Sequence, residues 1–278
     1  MKMNELTKRI IVAAIGIPLG IILMYFGGIV FNIVILLISL VAIWEFYELA
    51  KKKGYPAEYQ LGIALGIIPM IPYMIFTIQG DLLNTPKTPE EIGLVLFVCI
   101  FILLLVPLFL LFKKKENYLA VIGVTFMGFF YVSLPFFFLV LLRNLDNGFY
   151  WTILTFATIW ICDSAAFFFG RKFGKHKLAP SISPNKSIEG AVTGFVVSAA
   201  SFILAANYLI SEVSLIKVTV IGIVIGIFGQ LGDLIESKLK RDVGVKDSSN
   251  IIPGHGGILD RFDSIIFVIP FVYLIIQF

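Results

Sequence analysis

Long apolar runs separated by short polar segments make up most of this sequence of 278 residues. A helix that crosses a membrane needs about 20 apolar residues, whereas a strand of a membrane barrel alternates apolar and polar positions over about ten residues. The runs here are continuous, so they predict membrane-spanning helices. Nine are predicted, at residues 8–26, 29–50, 59–78, 92–112, 118–142, 150–170, 188–210, 215–236 and 258–278.

The amino-acid composition supports this pattern and excludes an ordinary water-soluble enzyme. Hydrophobic residues make up 59% of the chain and charged residues 14%, whereas soluble domains carry about 25% charged residues. The predicted fold class is therefore an all-α polytopic membrane protein. No small-x-small cleavage site follows the first apolar run, so we expect a retained helix rather than a signal peptide. Cys99 and Cys162 lie inside apolar runs and are expected to be buried thiols.

The basic residues are confined to alternate segments between the predicted helices. If the N-terminus is inside, every Lys and Arg of the 22 except Lys87, Arg143 and Lys217 lies on the inner side. The positive-inside rule then predicts a cytoplasmic N-terminus, and nine helices place the C-terminus on the other side. The net charge of +4 thus reflects topology and contact with anionic membrane lipids, and no nucleic-acid partner is expected.

The polar residues within the helices divide the chain into two predicted domains. Residues 1–149 form a transmembrane scaffold of about five helices with almost no ionisable residues at depth. Residues 150–278 form a catalytic half of about four helices with two long inner loops, 171–187 and 237–257. No internal repeat is evident, which weighs against an inverted-repeat transporter.

Five acidic residues of the second half fall near the inner ends of three predicted helices. They are Asp163, Asp233, Glu236, Asp260 and Asp263. Carboxylates at this depth are costly unless they pair with bases, bind cations or line a cavity. Oxygen ligands suit Mg²⁺, so we predict Asp233 and Asp260 as the primary ligands and Asp163 and Asp263 as further ligands of one or two cations. The alternative is that each acid pairs with a nearby Lys or Arg.

Three other acidic residues are assigned structural positions. Glu45 and Glu48 lie close to the basic run 51–53, so we expect both in a solvated or salt-bridged rim. Glu189 is expected to complement the dipole at the start of the seventh helix.

Both inner loops carry groups that suit phosphate. The first combines five basic residues with Ser and Asn side chains, although a solvated basic loop would look the same. The second places three glycines around His255 directly before a helix, where exposed amides and the helix dipole favour an anion. Phosphate-binding groups beside carboxylates for a divalent metal are typical of phosphoryl or nucleotidyl transfer.

The second loop and its flanking residues, 237–263, resemble the signature of the phosphatidate cytidylyltransferase (CDP-diacylglycerol synthase) family. That signature reads S-x-hydrophobic-K-R-x4-K-D, followed by H-G-G-x-x-D-R-x-D. Its fixed positions are all filled here, by Ser237, Leu239, Lys240, Arg241, Lys246, Asp247, His255, Gly256, Gly257, Asp260, Arg261 and Asp263. The stretch from Asp163 to Lys186 is also similar to the family.

The resemblance implies a metal-dependent nucleotidyltransferase of phospholipid biosynthesis. The reaction would convert CTP and phosphatidate to CDP-diacylglycerol and pyrophosphate with Mg²⁺, at the cytoplasmic face of the cell membrane. A homodimer is also implied, with a monomer as the alternative. Two other functions stay open: a CTP-dependent enzyme acting on another lipid phosphate or alcohol, and an organic-anion secondary transporter.

The reaction would need positioning more than acid–base chemistry, because a phosphate monoester is already largely ionised near neutral pH. We predict Asp163, Asp233, Asp260 and Asp263 as the catalytic residues. The residues predicted to bind the two substrates all lie in or beside the inner loops. They are Lys177, Ser183, Asn185 and Lys186 around the first loop, and Arg241, Lys246, Asp247, His255, Gly256, Gly257 and Arg261 around the second.

Overall fold

The computed structural model describes residues 4–71, 73–74, 101, 104, 106–112, 117–210 and 213–278. The described chain is mostly helical, and six of its helices are long and apolar enough to cross a membrane. The helices are α1 Glu5–Phe26, α2 Gly28–Lys52, α3 Tyr59–Ile67, α4 Tyr118–Gly128, α5 Leu134–Arg143, α6 Gly148–Phe173, α7 Ile188–Leu209, α8 Leu215–Asp242 and α9 Leu259–Gln277.

The predicted class, a polytopic helical membrane protein, agrees with these helices. A π-helical turn at Phe129–Ser133 joins α4 to α5 within one span, Tyr118–Arg143. The α8 helix runs past the predicted end at 236 because Lys240 and Arg241 suit the negative end of a helix. The predicted helix 92–112 and the end of the predicted helix 59–78 fall largely outside the described residues.

One short sheet departs from the predicted all-α class. Strand β1, Lys177–Ala179, pairs antiparallel with β2, Ser183–Ser187, so the first inner loop is a hairpin. The sequence analysis predicted polar loop there. Pro180 removes a backbone donor and has a fixed φ, which suits the turn between the two strands.

The chain divides into two compact units. The first comprises Met1–Leu145 and Asp247–Leu259, and the second Asp146–Lys246 and Asp260–Phe278. The predicted division into a scaffold, 1–149, and a catalytic half, 150–278, stays a prediction. In the structure, Asp247–Leu259, which includes the end of the second inner loop, folds with the first unit. Its hydrogen bonds to Glu45 on α2 are the physical reason.

In the first unit, two glycines let neighbouring helices approach the ring of Tyr47. A Cβ atom at Gly62 on α3 would lie 2.0 Å from the Tyr47 hydroxyl oxygen, and one at Gly128 on α4 would lie 2.3 Å from a ring carbon. The hydroxyl donates to the carbonyl oxygen of Thr125 at 3.1 Å, so this fully buried ring also satisfies its polar group.

In the second unit, glycines bring the three acid-bearing helices and α7 into close contact. Gly190 and Gly194 on α7 face backbone oxygens of α6, at Ala166 and Cys162. A Cβ at Gly232 on α8 would lie 2.6 Å from a backbone oxygen of α9. Small residues of this kind allow close helix packing in membranes. Cys162 is a buried free thiol, as predicted, and Cys99 lies outside the described residues.

Candidate active site

Five acidic residues gather in the second unit, and we call them the acidic cluster. They are Asp163 on α6, Asp233 and Glu236 on α8, and Asp260 and Asp263 on α9. The carboxylates of Asp163, Asp233 and Asp263 are close enough to repel one another. Glu236 likewise interacts with Asp260 and Asp263. Three helices therefore bring together the carboxylates that the sequence analysis singled out.

Lys186 contacts this cluster from the hairpin. Its ammonium group forms an ion pair with Oδ2 of Asp233, and both side chains are about one-third exposed. The hydroxyl of Ser237, one turn further along α8, donates to Oδ1 of the same carboxylate at 3.2 Å. Lys186 was predicted to bind a substrate phosphate, and the structure places it directly beside a predicted metal ligand.

Lys240 lies deeper and contacts two acids of the cluster. Its ammonium group pairs with Glu236 and lies 2.5 Å from Oδ1 of Asp260. The side chains of Lys240, Glu236 and Asp260 are only 11%, 0% and 3% exposed. The sequence analysis did not assign this lysine to the site, although its spacing of four residues from Glu236 on one helix is a recognisable pairing signal.

These ion pairs agree with the alternative that base pairing balances the acids, at least for Asp233, Glu236 and Asp260. Among the residues that the structure describes, no three acidic, His or Cys side chains are grouped so as to hold a metal ion. Asp163 and Asp263 also lie close to Asp233, and the five carboxylates of the cluster outnumber Lys186 and Lys240. The predicted roles as metal ligands stay predictions.

The hairpin positions the other predicted ligands of the first loop. Lys177 lies on β1, and Ser183 and Asn185 lie on β2 with Lys186. The Arg241 guanidinium donates to the carbonyl oxygens of Ile182 at 3.4 Å and Val245 at 3.1 Å, and so ties the end of α8 to the hairpin.

Glu189 orders the chain that enters the hairpin. It lies in the first turn of α7, as predicted, and accepts hydrogen bonds from the amides of Lys175 and His176 at 3.1 and 3.2 Å. Its Oε1 also lies 2.7 Å from Nδ1 of His176. The Ser187 hydroxyl accepts from the Gly190 amide at the helix N-terminus. These contacts hold the base of the hairpin that carries Lys186.

Of the second inner loop and the residues that follow it, the segment Asp247–Leu259 folds within the first unit. The amide of Ile252 donates to the Gly256 oxygen at 2.8 Å, and the amide of His255 donates to the Ile252 oxygen at 2.9 Å. Gly254 and Gly256 have φ angles of 75° and 79°, which favour glycine. This tight turn carries His255, and Lys246 and Arg261, on either side of the segment Asp247–Leu259, are exposed.

Glu45 is the main correction to the sequence analysis. It was expected in a solvated or salt-bridged rim, but the structure buries it completely. Its carboxylate accepts hydrogen bonds from the amides of Ile258 at 3.0 Å and Leu259 at 2.7 Å, at the start of α9. The anion at this helix N-terminus is thus a side chain of the protein, so these two amides are not available for phosphate. The predicted role of the Gly256 amide stays a prediction.

Gly257 packs against the same carboxylate. A Cβ at Gly257 would lie 2.0 Å from the Ser248 hydroxyl oxygen and 2.5 Å from Glu45, so only glycine fits. This gives the glycine a packing reason in addition to its predicted backbone role. Glu48 behaves as expected, since it pairs with Lys51 at 3.9 Å and accepts from the Tyr59 hydroxyl at 2.9 Å.

The second unit therefore combines an acidic cluster with a basic hairpin in a chain with several helices long and apolar enough to cross a membrane. Residues 7–278 match the sequence model of the Cytidylyltransferase family, and the chain belongs to this family. The predicted resemblance is confirmed.

Several curated relatives are named phosphatidate cytidylyltransferase. The chain is 33% identical to the one from Bacillus subtilis over 278 residues, which cover 99% of this chain and 98% of that protein. It is 34% identical to the one from a Synechocystis species, over 96% of this chain and 95% of that protein. A relative from Staphylococcus saprophyticus is 43% identical over 150 residues, 54% of this chain and 57% of that protein.

Proposed function

We propose that this protein transfers the cytidylyl group of CTP to phosphatidate and releases CDP-diacylglycerol and pyrophosphate. The observation that carries the proposal is the acidic cluster with Lys186 beside it, in a chain similar over nearly its whole length to proteins named for this activity. A phosphate oxygen of the lipid would form a bond to the α-phosphorus of CTP while the bond from that phosphorus to the pyrophosphate oxygen breaks. None of the comparisons favours a transporter or a different lipid substrate.

The residues of this chain would act by positioning and by neutralising charge. Because the attacking phosphate is already ionised, no strong general base is needed. Lys186 and Lys177 on the hairpin suit the lipid phosphate or the departing pyrophosphate. Lys246, His255 and Arg261 suit the triphosphate of CTP. Positive charge of this kind would align two anions that repel each other in solution.

We also propose that the acidic cluster holds Mg²⁺. The support is chemical: carboxylates from three helices repel one another and outnumber the two lysines beside them, and oxygen ligands suit a hard divalent cation. Asp163, Asp233, Asp260 and Asp263 are the residues that would hold it. When bound, the cation supplies positive charge that stabilises the phosphates of the substrate.

The location we propose is the cell membrane, with the N-terminus and the active site on the cytoplasmic side. CTP is water-soluble and phosphatidate stays in the bilayer, so the reaction belongs at an interface that nucleotide reaches. The basic residues of the hairpin and of the end of α8 support the cytoplasmic side. A homodimer, implied by the resemblance, is part of the same proposal.

Cysteine labelling tests the proposed topology. Ser181 in the hairpin and Ser214 before α8 are both exposed, and the topology assigns them to opposite sides. In a background with Cys99 and Cys162 replaced by Ala, Ser181→Cys should react only from the cytoplasmic side of sealed vesicles. Ser214→Cys should react only from the other side. Equal labelling of both from one side would contradict the topology.

Purified protein in lipid nanodiscs tests the reaction. We expect pyrophosphate to form from CTP only when phosphatidate is present, together with CDP-diacylglycerol in equal amount. Diacylglycerol, lysophosphatidate and other lipid phosphates serve as competing substrates, which separates the alternative enzymes. Failure to form a cytidylylated lipid with any of them would overturn the proposal.

Lys186→Ala should lower kcat or raise KM for phosphatidate by at least about tenfold, because it removes a cation beside Asp233 and the reacting phosphates. KM for CTP should change less. Initial rates with each substrate varied separately provide the measurement, and Lys175→Ala, an exposed lysine of the same loop, is the matched control. If both kcat/KM values stay within about twofold, equivalent to ~0.4 kcal/mol, Lys186 has no role in the reaction.

A further inference from the structure

The Glu45 carboxylate connects both ends of the segment Asp247–Leu259 to α2. At the start of the loop, the hydroxyls of Ser248 and Ser249 donate to it at 3.0 and 2.5 Å. At the end of the loop, the amides of Ile258 and Leu259 donate to it at 3.0 and 2.7 Å. One fully buried side chain therefore closes Asp247–Leu259 into a ring.

The identity of this residue matters because the four donors require an acceptor. A carboxylate presents two acceptor oxygens and no donor, whereas an amide of the same shape presents one acceptor and one donor group. Two of the donors are the amides of Ile258 and Leu259 at the N-terminus of α9, where the helix dipole also favours a negative charge. Glu45 thus takes the place at this helix N-terminus that a bound anion would otherwise take.

The far side of the loop is held separately, by α1. The Arg9 side chain donates to the carbonyl oxygen of Gly254 at 3.0 Å, next to His255. Within the turn, the amide of Ile252 donates to the oxygen of Gly256. The first unit therefore holds the loop at its two ends and at its turn, although its helices contain none of the signature residues.

We propose that Glu45 is a positioning residue for nucleotide binding: it holds Asp247–Leu259 in the one conformation that presents Asp247, His255 and Gly256 to the triphosphate of CTP. This inference rests on the proposed function. Glu45 touches no reacting group, because its two oxygens are taken up by the loop itself. Substitution of Glu45 should therefore weaken the binding of CTP by disordering the loop. The binding of phosphatidate should hardly change.

Glu45→Gln tests the proposal with the smallest change in shape. KM for CTP should rise at least about tenfold, while kcat at saturating CTP and KM for phosphatidate stay within about threefold. Amide hydrogen exchange should become faster in peptides covering 247–259 and stay unchanged in the hairpin 177–187. Glu45→Asp keeps the carboxylate and should restore part of the affinity for CTP. Glu48→Gln, one turn along α2, is the matched control and should resemble the wild type.

A second variant keeps the test decisive if Glu45→Gln does not fold. Ser248→Ala with Ser249→Ala removes two donors and leaves the carboxylate on the α9 amides, so a smaller rise in KM for CTP is expected. Unchanged KM for CTP in both variants would overturn the proposal. So would an equal loss with both substrates accompanied by faster exchange throughout the chain, which indicates a purely structural role. If the wild type forms no cytidylylated lipid, the proposed function fails, and CTP-dependent protection of 247–259 from exchange still decides the role of Glu45.

Discussion

Asp233→Asn should abolish cytidylyl transfer, with a fall in kcat/KM of at least about 100-fold. Substitution of a residue that only hydrogen-bonds to a metal ligand usually costs less than this. The carboxylate interacts with Asp163 and Asp263 and pairs with Lys186. Asn keeps the shape but removes the charge that a divalent cation requires. The rate should also lose its dependence on Mg²⁺ concentration, and spectroscopic titration with Mn²⁺ should show weaker binding.

The matched control for this substitution is Asp242→Asn, an exposed acid at the end of the same helix. It should keep the wild-type rate and the wild-type Mg²⁺ titration. Thermal unfolding of Asp233→Asn should stay close to that of the wild type, since its side chain is partly exposed. A normal Mg²⁺ titration in Asp233→Asn would refute its assignment as a ligand.

Lys240→Met should destabilise the protein by about 3–5 kcal/mol, because it removes the ammonium group that pairs with two buried carboxylates, Glu236 and Asp260. Glu236 is fully buried and Asp260 nearly so, which makes water a poor replacement for the ammonium group. Thermal and denaturant unfolding in detergent micelles measure the effect. Activity should fall with it, since Asp260 is a predicted ligand.

A double-mutant cycle separates the ion pair from general loss of packing. Glu236→Gln removes one of the two carboxylates, so it should recover part of the stability lost in Lys240→Met and give a coupling energy of about 0.5–3 kcal/mol. Lys238→Met, an exposed lysine two residues away, should leave stability unchanged. Additive effects of the two substitutions would show that Lys240 and Glu236 do not stabilise each other.

The contrast between Asp233 and Glu45 shows how far sequence reasoning reaches at this site. Asp233 sits in an apolar run, where a charged residue signals a function by its cost alone. Glu45 sits near three lysines at the end of a helix, where a solvated salt bridge is the usual explanation. Its true partners lie about 200 residues away along the chain. No local sequence pattern predicts a hydrogen bond between residues so far apart in the chain.

Lys240 presents the same limit in a different form. As one of several basic residues at the end of α8, it was counted as evidence for topology. The preference of basic residues for the inner side can be seen in the sequence alone. Whether a lysine faces water or a buried acid depends on which helix packs beside it. Here α9 supplies Asp260, and the close approach of α8 and α9 at Gly232 depends on tertiary packing.

By itself, the sequence determined the class of fold, most helix positions in the described parts of the chain, the acids of the cluster and the family. Hydrophobic runs of membrane length, the cost of charge in lipid and the spacing of signature residues are local properties, and the chain displays them directly. The tertiary structure alone decided that the first inner loop is a hairpin, that Lys186 and Lys240 pair with the acids, and that Glu45 holds the second loop. Those outcomes depend on which residues, distant in the sequence, come into contact when the chain folds. A polar or charged group that is buried without a partner costs free energy, so folding pairs these groups with one another.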